Sequence, residues 1–196
     1  MDGATPGGRG SSRATTLSSI AFQDLRESHW DVVILGAGVA GAAAAILASK
    51  QGLKTLLVDS KSFPREKVCG GCLNLRSQAS IDRLGVSKQV QSAGAIRIES
   101  MRLQILKTQA QWRVPVMLSL RRSTLDAILV EQAIANGSNF IDRTFGYLLT
   151  ETSDTACSQR SVRVQRDDET EVVSSKSVLV ASGLTRSSIR QAPLSL

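Results

Sequence analysis

The chain has 196 residues, of which 42% are hydrophobic and 21% charged, so it is long enough for one globular domain and too short for two full ones. Lysine and arginine number 24 against 17 acidic residues, a net charge of +7, which raises the question of a nucleic-acid partner. The basic residues are dispersed from Arg9 to Arg190 and only 4% of the residues are aromatic, so no nucleic-acid partner is predicted.

The first two dozen residues are rich in serine, threonine, glycine and arginine. A segment of this composition cannot bury enough surface to fold. Residues 1–28 are therefore predicted to be a disordered tail, and residues 29–196 the folded domain. The tail lacks the apolar core of a secretory signal peptide, but a transit peptide stays open as an alternative because the segment is basic and poor in acids.

The chain has three cysteines and one histidine, His29. An odd number of cysteines does not indicate a disulfide framework and favours a reducing compartment, so a cytoplasmic location is expected. No metal site is predicted, because Cys157 and His29 lie far apart in sequence and a zinc site needs four ligands. A single histidine without a nearby G-x-S-x-G turn also excludes a serine triad. No catalytic acid or base is assigned.

A strand, a glycine turn, a helix and a second strand follow the tail in that order. Asp31–Leu35 has the branched apolar residues of a strand buried on both faces. Ala42–Lys50 predicts a helix that ends at Gly52, where a C-cap glycine belongs. Leu53–Val58 predicts the second strand, with Asp59 at its end. This is the order of a βαβ nucleotide-binding unit.

The glycine turn has the pattern G-x-G-x-x-G, in which each glycine has a mechanical role. Gly36 permits the tight turn, Gly38 lets the backbone approach a pyrophosphate, and Gly41 lets the helix pack closely on the strand. Ala40, in the same turn, is included among the predicted cofactor contacts. The helix N-terminus then faces the anion, and Asp59, 21 residues after Gly38, is placed to accept hydrogen bonds from an adenosine ribose.

A membrane anchor is the alternative interpretation of this region. The apolar run Val32–Ala48 is 17 residues long and contains three glycines, which is at the short end of what a membrane span needs. The βαβ order explains the same residues better, so no transmembrane segment is predicted. The turn does not distinguish FAD from NAD, because both carry the adenosine pyrophosphate that it would contact.

The segment after the second strand distinguishes the two cofactors by resemblance. Its pattern P-R-x-K-x-C-G-G is formed by Pro64, Arg65, Lys67, Cys69, Gly70 and Gly71. Here the chain resembles the flavoprotein family of geranylgeranyl reductases, flavin-dependent halogenases and aromatic hydroxylases. The resemblance implies that this loop runs beside the flavin, with cofactor contacts from Ser60, Arg65, Gly70 and Gly71. A solvated loop with a glycine turn is the structural alternative.

Two later segments resemble the same family. Leu120–Asp126 is similar to the family's R-x-x-x-D segment, which implies that Arg122 lies near the pyrophosphate and ribityl chain of the flavin. An ordinary ion pair between Arg122 and Asp126, one helical turn apart, is the alternative. Val178–Ser187 resembles the strand and turn that close the first half of these domains. A serine stands where the family usually carries an acid, and Gly183 is the expected backbone contact.

Local patterns predict the remaining elements. They are a helix at Leu75–Leu84 ended by Gly85, a helix at Ala127–Ala135, a small sheet within Ala95–Met117, an antiparallel meander of Phe145–Leu149, Ser161–Gln165 and Glu171–Val173, and a buried strand at Val178–Ala181. With the resemblance, they predict an α/β fold: a Rossmann-like FAD-binding domain of the glutathione-reductase type with an additional antiparallel β-meander. The resemblance covers about residues 30 to 190, the N-terminal half of the family. The chain is therefore expected to be a truncated or split product, or a reduced flavin-binding module.

The predicted function is that of an FAD-dependent oxidoreductase, or of its N-terminal FAD-binding portion. By resemblance, FAD is bound non-covalently, NADPH or NADH is the electron donor, and the substrate is a small isoprenoid or aromatic molecule. The reaction is reduction of an isoprenoid-type double bond or flavin-dependent monooxygenation. Two alternatives stay open: a non-catalytic nucleotide-binding module, and a thiol-disulfide oxidoreductase that uses Cys69 and Cys72 before a helix. The oligomeric state is not predicted.

Overall fold

The computed structural model describes residues 17–26, 28–149 and 159–183. Its helices are α1 (Val39–Lys50), α2 (Leu75–Leu84), α3 (Ser87–Ser92) and α4 (Arg122–Ala135), preceded by a 3-10 helix at Phe22–Leu25. Its strands are β1 (Trp30–Leu35), β2 (Thr55–Val58), β3 (Cys72–Leu73), β4 (Ile96–Ile105), β5 (Thr108–Ser119), β6 (Asn139–Ile141), β7 (Phe145–Leu148), β8 (Arg160–Arg166) and β9 (Glu169–Val180).

The main sheet has the strand order β6-β2-β1-β9-β8-β7. The first four of these strands run parallel, and β8 and β7 are added to them as antiparallel strands. Val33 in β1 pairs with Leu56 in β2 and with Val178 in β9. β1 is therefore flanked by a parallel strand on each side, and all three strands end at the same edge of the sheet.

Successive residues of β1 enter two different cores. Ile34 packs in one buried cluster with Ile46 of α1 and Leu129 of α4. Val33 and Leu35 belong to a second buried cluster on the other face of the sheet. Because both faces are covered, every residue of β2 is buried as well, as expected for parallel strands in an α/β domain.

A separate antiparallel sheet has the strand order β3-β5-β4. β4 and β5 form a long hairpin with an irregular pairing between Ile98 and Ser100. Cys72 of β3 pairs with Ser119 at the end of β5. Since α4 begins shortly after β5, this sheet connects the loop of residues 60–71, here called the CGG loop, to the start of α4.

The predicted fold class is confirmed, with differences in individual elements. α2 has the predicted bounds and ends at Gly85, whose φ is 84°. α4 begins at Arg122 rather than at Ala127. The strands predicted at Glu171–Val173 and Val178–Ala181 are one strand, β9, because its first half pairs with β8 and its second half with β1. The sequence pattern does not predict α3 and β6, which are short.

Part of the segment predicted to be a tail is packed on the domain. Phe22 and Leu25 are buried in the second cluster. The backbone N–H of Ser19 donates to the carbonyl oxygen of Phe140 at 2.9 Å, and the Phe140 N–H donates to the Ser19 hydroxyl at 2.8 Å. The structure of residues 17–26 thus differs from the prediction, because two large apolar side chains reach the sheet. The first 16 residues lie outside the described residues.

Within the described ranges, no helix has both the length and the hydropathy that crossing a bilayer requires. The apolar run Val32–Ala48, considered above as a membrane anchor, is divided between β1 and α1. The division lies at the glycine turn, where Gly36 adopts a φ of 108° that no helix contains.

The packing of the N-terminal segment predicts a stability effect. Leu25→Ala is expected to lower the free energy of unfolding by about 2–5 kcal/mol, because truncating a fully buried leucine leaves a cavity. The control is Leu53→Ala, since Leu53 is 44% exposed and its loss should cost less than about 1 kcal/mol. Urea unfolding followed by circular dichroism measures both. Equal losses in the two variants would contradict the packing of this segment.

Candidate functional site

The glycine turn after β1, Asp59 after β2 and the residues after β9 meet at one edge of the sheet. They surround a cavity of about 220 Å³. In α/β sheets, the crevice at the carboxyl ends of the parallel strands is where ligands bind. The lining residues are Leu35, Gly36, Gly38, Val58, Asp59, Ser60, Lys61, Arg65, Lys67, Thr144, Phe145, Gly146, Ala181 and Ser182.

Two glycines of the turn leave no room for a side chain. A Cβ atom on Gly41 would lie 1.8 Å from the carbonyl oxygen of Gly36, and one on Gly36 would lie 2.5 Å from that of Ala181. The N–H of Gly36 also donates to the carbonyl oxygen of Val58 at 2.7 Å. These contacts hold the start of α1 against β1 and β9. Gly38, the N-cap of α1, consequently reaches the cavity wall.

Gly38 faces two arginine side chains. A Cβ atom there would lie 3.2 Å from a terminal nitrogen of Arg65 and 3.6 Å from one of Arg122. Both side chains are largely buried, with 13% and 18% exposure. Two guanidinium groups at the positive end of a helix form a surface suited to an anion. The structure thus brings together a predicted contact of the CGG loop and one of α4.

Asp126 is the counter-ion of both arginines. Arg122 Nε donates to Asp126 Oδ1 at 2.6 Å, and a terminal nitrogen of Arg65 lies 3.5 Å from Asp126 Oδ2. The same Arg65 nitrogen lies 3.7 Å from Asp59 Oδ2. The ion pair considered above as an alternative therefore exists, and Arg122 lies at the glycine turn as well. The two interpretations of the R-x-x-x-D segment are compatible.

The carboxylate of Asp59 joins the glycine turn to the end of β2. Its Oδ2 accepts the backbone N–H of Ala37 at 2.7 Å, and its Oδ1 accepts that of Lys61 at 2.9 Å. A carboxylate oxygen can accept more than one hydrogen bond, so both oxygens keep capacity for a ribose hydroxyl. The ribose contact itself stays a prediction.

Buried polar atoms without a hydrogen-bond partner among the described residues are concentrated at this site. They include Arg65 Nε, Asp126 Oδ2 and Ser182 Oγ. Arg65 and Ser182 line the first cavity. Because an unpaired buried polar group costs about 1–3 kcal/mol, these two atoms indicate a polar ligand there. The cationic and hydroxyl donors fit phosphate groups. The described residues contain no cluster of three or more histidine, cysteine or acidic side chains that would suit a metal ion.

A second cavity, of about 310 Å³, lies between the CGG loop and the start of α4. Lys67 lines both cavities, so the two are adjacent. Gly71 has a φ of 68°, and its carbonyl oxygen accepts the N–H of Leu120 at 2.9 Å, which ties the loop to α4. The lining residues are Glu66, Lys67, Cys69, Gly71, Ser119, Leu120, Arg121 and Arg122.

Three further predicted contacts line neither cavity. Gly183 has a φ of 79°, and a Cβ atom on it would lie 3.7 Å from Nζ of Lys67. Ala40 is exposed in the first turn of α1, and Gly70 is exposed in the CGG loop. All the predicted cofactor contacts stay predictions.

The connection between β6 and β7 contributes residues that the sequence pattern does not indicate. Thr144 lines the first cavity, as does Gly146 in β7, and the N–H of Thr144 donates to the carbonyl oxygen of Asp59 at 2.9 Å. This connection reaches the site because β6 pairs with β2 in the sheet. No local signal could have identified it, since the pairing joins distant parts of the chain.

Arg122 also contacts the thiol of Cys69. The backbone N–H of Gly71, and after it the side chain of Arg122, lower the pKa of Cys69 below its ordinary value by hydrogen bonding to the thiolate. Burial acts to lower the pKa of Arg122, but its bonds and charge interactions with Asp126 and Cys69 outweigh burial and raise it overall. The guanidinium group therefore stays charged.

Comparison with protein families assigns the domain. The family model described as an FAD binding domain matches residues 29–195. The chain belongs to this family of FAD-binding domains. The match agrees with the flavoprotein family that the P-R-x-K-x-C-G-G and R-x-x-x-D segments predict, and it confirms that prediction.

Individual relatives of the FAD-binding domain support the same assignment. A menaquinone reductase of Mycobacterium tuberculosis is 42% identical over 73 residues, which are 37% of this chain and 17% of the relative. A digeranylgeranylglycerophospholipid reductase of Sulfolobus acidocaldarius is 37% identical over 92 residues, 46% of this chain and 20% of the relative. The myxobacterial chondrochloren halogenase, an FAD-dependent halogenase, superimposes with a TM-score of 0.70 at 16% identity, over 83% of this chain and 39% of that one. The last similarity shows the fold alone. The chain thus spans well under half the length of these proteins.

The contact between Arg122 and Cys69 predicts a shifted thiol titration. Alkylation of Cys69 by iodoacetamide should begin at lower pH than for an ordinary thiol, because the thiolate is the reactive form. In Arg122→Gln the pH midpoint of Cys69 alkylation should rise but stay below that of an ordinary thiol, since the Gly71 N–H still donates to the thiolate. The rate is measured against pH with the other two cysteines changed to serine. Arg76→Gln, at an exposed position in α2, is the control for charge. A midpoint that is equal in both variants would contradict the contact.

Proposed function

We propose that the chain binds FAD non-covalently and is the FAD-binding part of an oxidoreductase. The observation that carries this proposal is the pair of guanidinium groups above Gly38. Arg65 lines the first cavity, Arg122 lines the second, and both reach the N-terminus of α1. The arginines and the helix N-terminus would hold the pyrophosphate, with the adenosine ribose beside Asp59 in the first cavity and the flavin half of the cofactor toward the second.

The balance of charge supports this arrangement. Five basic side chains and two acidic ones line the two cavities. When Asp126, which lines neither cavity but pairs with both arginines, is also counted, the excess of positive charge is two, which equals the two negative charges of a pyrophosphate diester. The basic residues are Lys61, Arg65, Lys67, Arg121 and Arg122, and the acidic residues are Asp59, Glu66 and Asp126. A cofactor with two charges would therefore leave the site close to neutral, and its burial would not create an excess charge.

The proposed role of the chain is to bind and orient the cofactor. FAD, when bound, supplies the acceptor and donor of electron pairs. The glycine turn would bring backbone N–H groups to the pyrophosphate, and the CGG loop would limit access of water to the second cavity. The full set of proposed contacts is Gly36, Gly38, Ala40, Gly41, Asp59, Ser60, Arg65, Gly70, Gly71, Arg122 and Gly183.

The reaction proposed first is reduction of an isoprenoid-type double bond, with NADPH or NADH as electron donor. Both curated relatives described above are named as reductases, one of them of a digeranylgeranyl lipid, which favours this class over flavin-dependent monooxygenation of an aromatic substrate. Cys69 and Cys72 are free thiols, which supports a reducing, cytoplasmic location.

Thiol-disulfide exchange is the second candidate function. The observation in its favour is the lowered pKa of the exposed Cys69, since a low thiol pKa is typical of reactive cysteines. Against it, Cys72 is held in β3, paired with Ser119, and Cys69 bonds to Arg122 rather than to a second thiol. The interpretation of residues 29–196 as an FAD-binding domain explains the presence of both arginines. A dithiol enzyme does not require them.

The two candidates predict opposite results for two variants. Gly38→Val should weaken FAD binding at least about tenfold, because the branched side chain displaces the guanidinium groups and blocks the close approach of the pyrophosphate, each of whose charge-assisted bonds is worth about 1.5–3 kcal/mol. Cys72→Ser should leave FAD binding unchanged. The measurement is the flavin absorbance that the purified protein retains after incubation with FAD and gel filtration.

Leu47→Val, at an exposed position of the same helix, is the control for Gly38→Val and should retain flavin like the wild type. A wild-type protein that retains no flavin would contradict the FAD proposal. Loss of disulfide-reductase activity in Cys72→Ser, with full activity in Gly38→Val, would support the thiol-disulfide alternative instead.

A further inference from the structure

Asp126 is a fully buried carboxylate in α4, and the FAD proposal gives it no contact with the cofactor. Its exposure is 0%, and the neighbouring Leu125 and Val130 are buried apolar residues, so this face of the helix belongs to the core. Burying a carboxylate removes its hydration, and an ion pair compensates for this only in good geometry. An apolar residue would suit the packing better. The contacts of Asp126 must therefore explain why an acid is present.

Those contacts place the carboxylate between two guanidinium groups. Oδ1 accepts the hydrogen bond from Arg122 Nε, whereas Oδ2 is 3.5 Å from Arg65 and accepts no hydrogen bond among the described residues. Because Arg122 is held through Nε, a terminal nitrogen is left to extend toward Gly38. Arg65 is held between Asp126 and Asp59 in a similar way.

Holding the arginines in place affects the binding of an anion. A free arginine side chain populates many rotamers, and fixing it costs conformational entropy. If that entropy is lost when the chain folds, it is not lost again when the anion binds, so binding is tighter. Removing Asp126 would leave both side chains free to move away from Gly38.

We propose that Asp126 is a positioning residue, which sets Arg65 and Arg122 above Gly38 before a pyrophosphate group binds. The inference rests on the proposed FAD function for the identity of the ligand. A purely electrostatic role predicts the opposite result, because removing a negative charge beside an anion site strengthens the attraction for the anion. The direction of the change in affinity therefore distinguishes positioning from charge.

The test uses Asp126→Asn, which keeps the size of the side chain and removes its charge. The Kd for FAD and the Kd for inorganic pyrophosphate should both rise about tenfold, as expected when a charge-assisted hydrogen bond that orients an arginine is lost. Isothermal titration calorimetry at fixed ionic strength measures both. Glu131→Gln makes the same charge change at an exposed position of α4 and should leave both Kd values unchanged. Unchanged or tighter binding by Asp126→Asn would overturn the proposal.

A double-mutant cycle separates positioning from a general structural role. Arg122→Lys keeps the charge but lacks the Nε donor. Because Asp126 is proposed to hold Arg65 as well, Asp126→Asn should still weaken binding in the Arg122→Lys background, but by less than it does in the wild type. Fully additive losses would overturn the proposal. The readout of the cycle is the coupling between the two substitutions in the free energy of ligand binding. A substitution that only destabilises the fold would not produce such coupling.

A measurement on the unmodified chain keeps the proposal testable even if Asp126→Asn does not fold. In the absence of ligand, the Nε–H of Arg122 should exchange slowly with solvent in nitrogen-15 NMR spectra, and pyrophosphate should not change this much. Rapid exchange would overturn the proposal. A wild type that binds pyrophosphate but not FAD would contradict the FAD function alone, with the effect of Asp126 still measured on pyrophosphate; binding of neither would overturn both.

Discussion

The contact between Gly41 and the carbonyl oxygen of Gly36 holds the start of α1 against the end of β1. With only 1.8 Å available for a Cβ atom, any larger residue would force the helix away from the sheet. The close packing sets Gly38, the N-cap of α1, at the carboxyl edge of the parallel strands. Asp59 secures the same turn by accepting the N–H of Ala37. The cavity, the arginines and the helix N-terminus are all arranged around this turn.

The charged residues of the site come from separate segments that a small antiparallel sheet brings together. Pairing of β3 with β5 connects the CGG loop, which carries Arg65, to the start of α4, which carries Arg122 and Asp126. Arg65 links Asp59 with Asp126 through ion pairs of 3.7 and 3.5 Å. These groups are largely buried, so their attraction is screened by salt less than that of surface pairs. The network therefore joins the nucleotide-binding turn to the loop beside it.

Some elements could be predicted from the sequence because their signals are local. The apolar residues of β1, the glycine spacing and the acid after β2 all lie within one short stretch. The start of α4 cannot be located from a capping signal in the sequence, because its N-cap, Arg121, makes no side-chain capping bond. In the sequence, the apolar pattern of β9 is interrupted by the polar run at residues 174–177, so local patterns predict two strands where the structure has one. Its pairing with β8 and then β1 satisfies the backbone in spite of those side chains.

Local sequence is enough to identify the βαβ order, the positions of the three glycines and the acid at the end of β2, because each depends on neighbours a few residues away. Resemblance to a flavoprotein family added the CGG loop and Arg122. The folded chain is needed to see that Arg65 and Arg122 both extend toward Gly38 and that one buried carboxylate, Asp126, holds both. Those contacts join residues far apart in the chain, and the order of strands and the pairing of β3 with β5 bring them together.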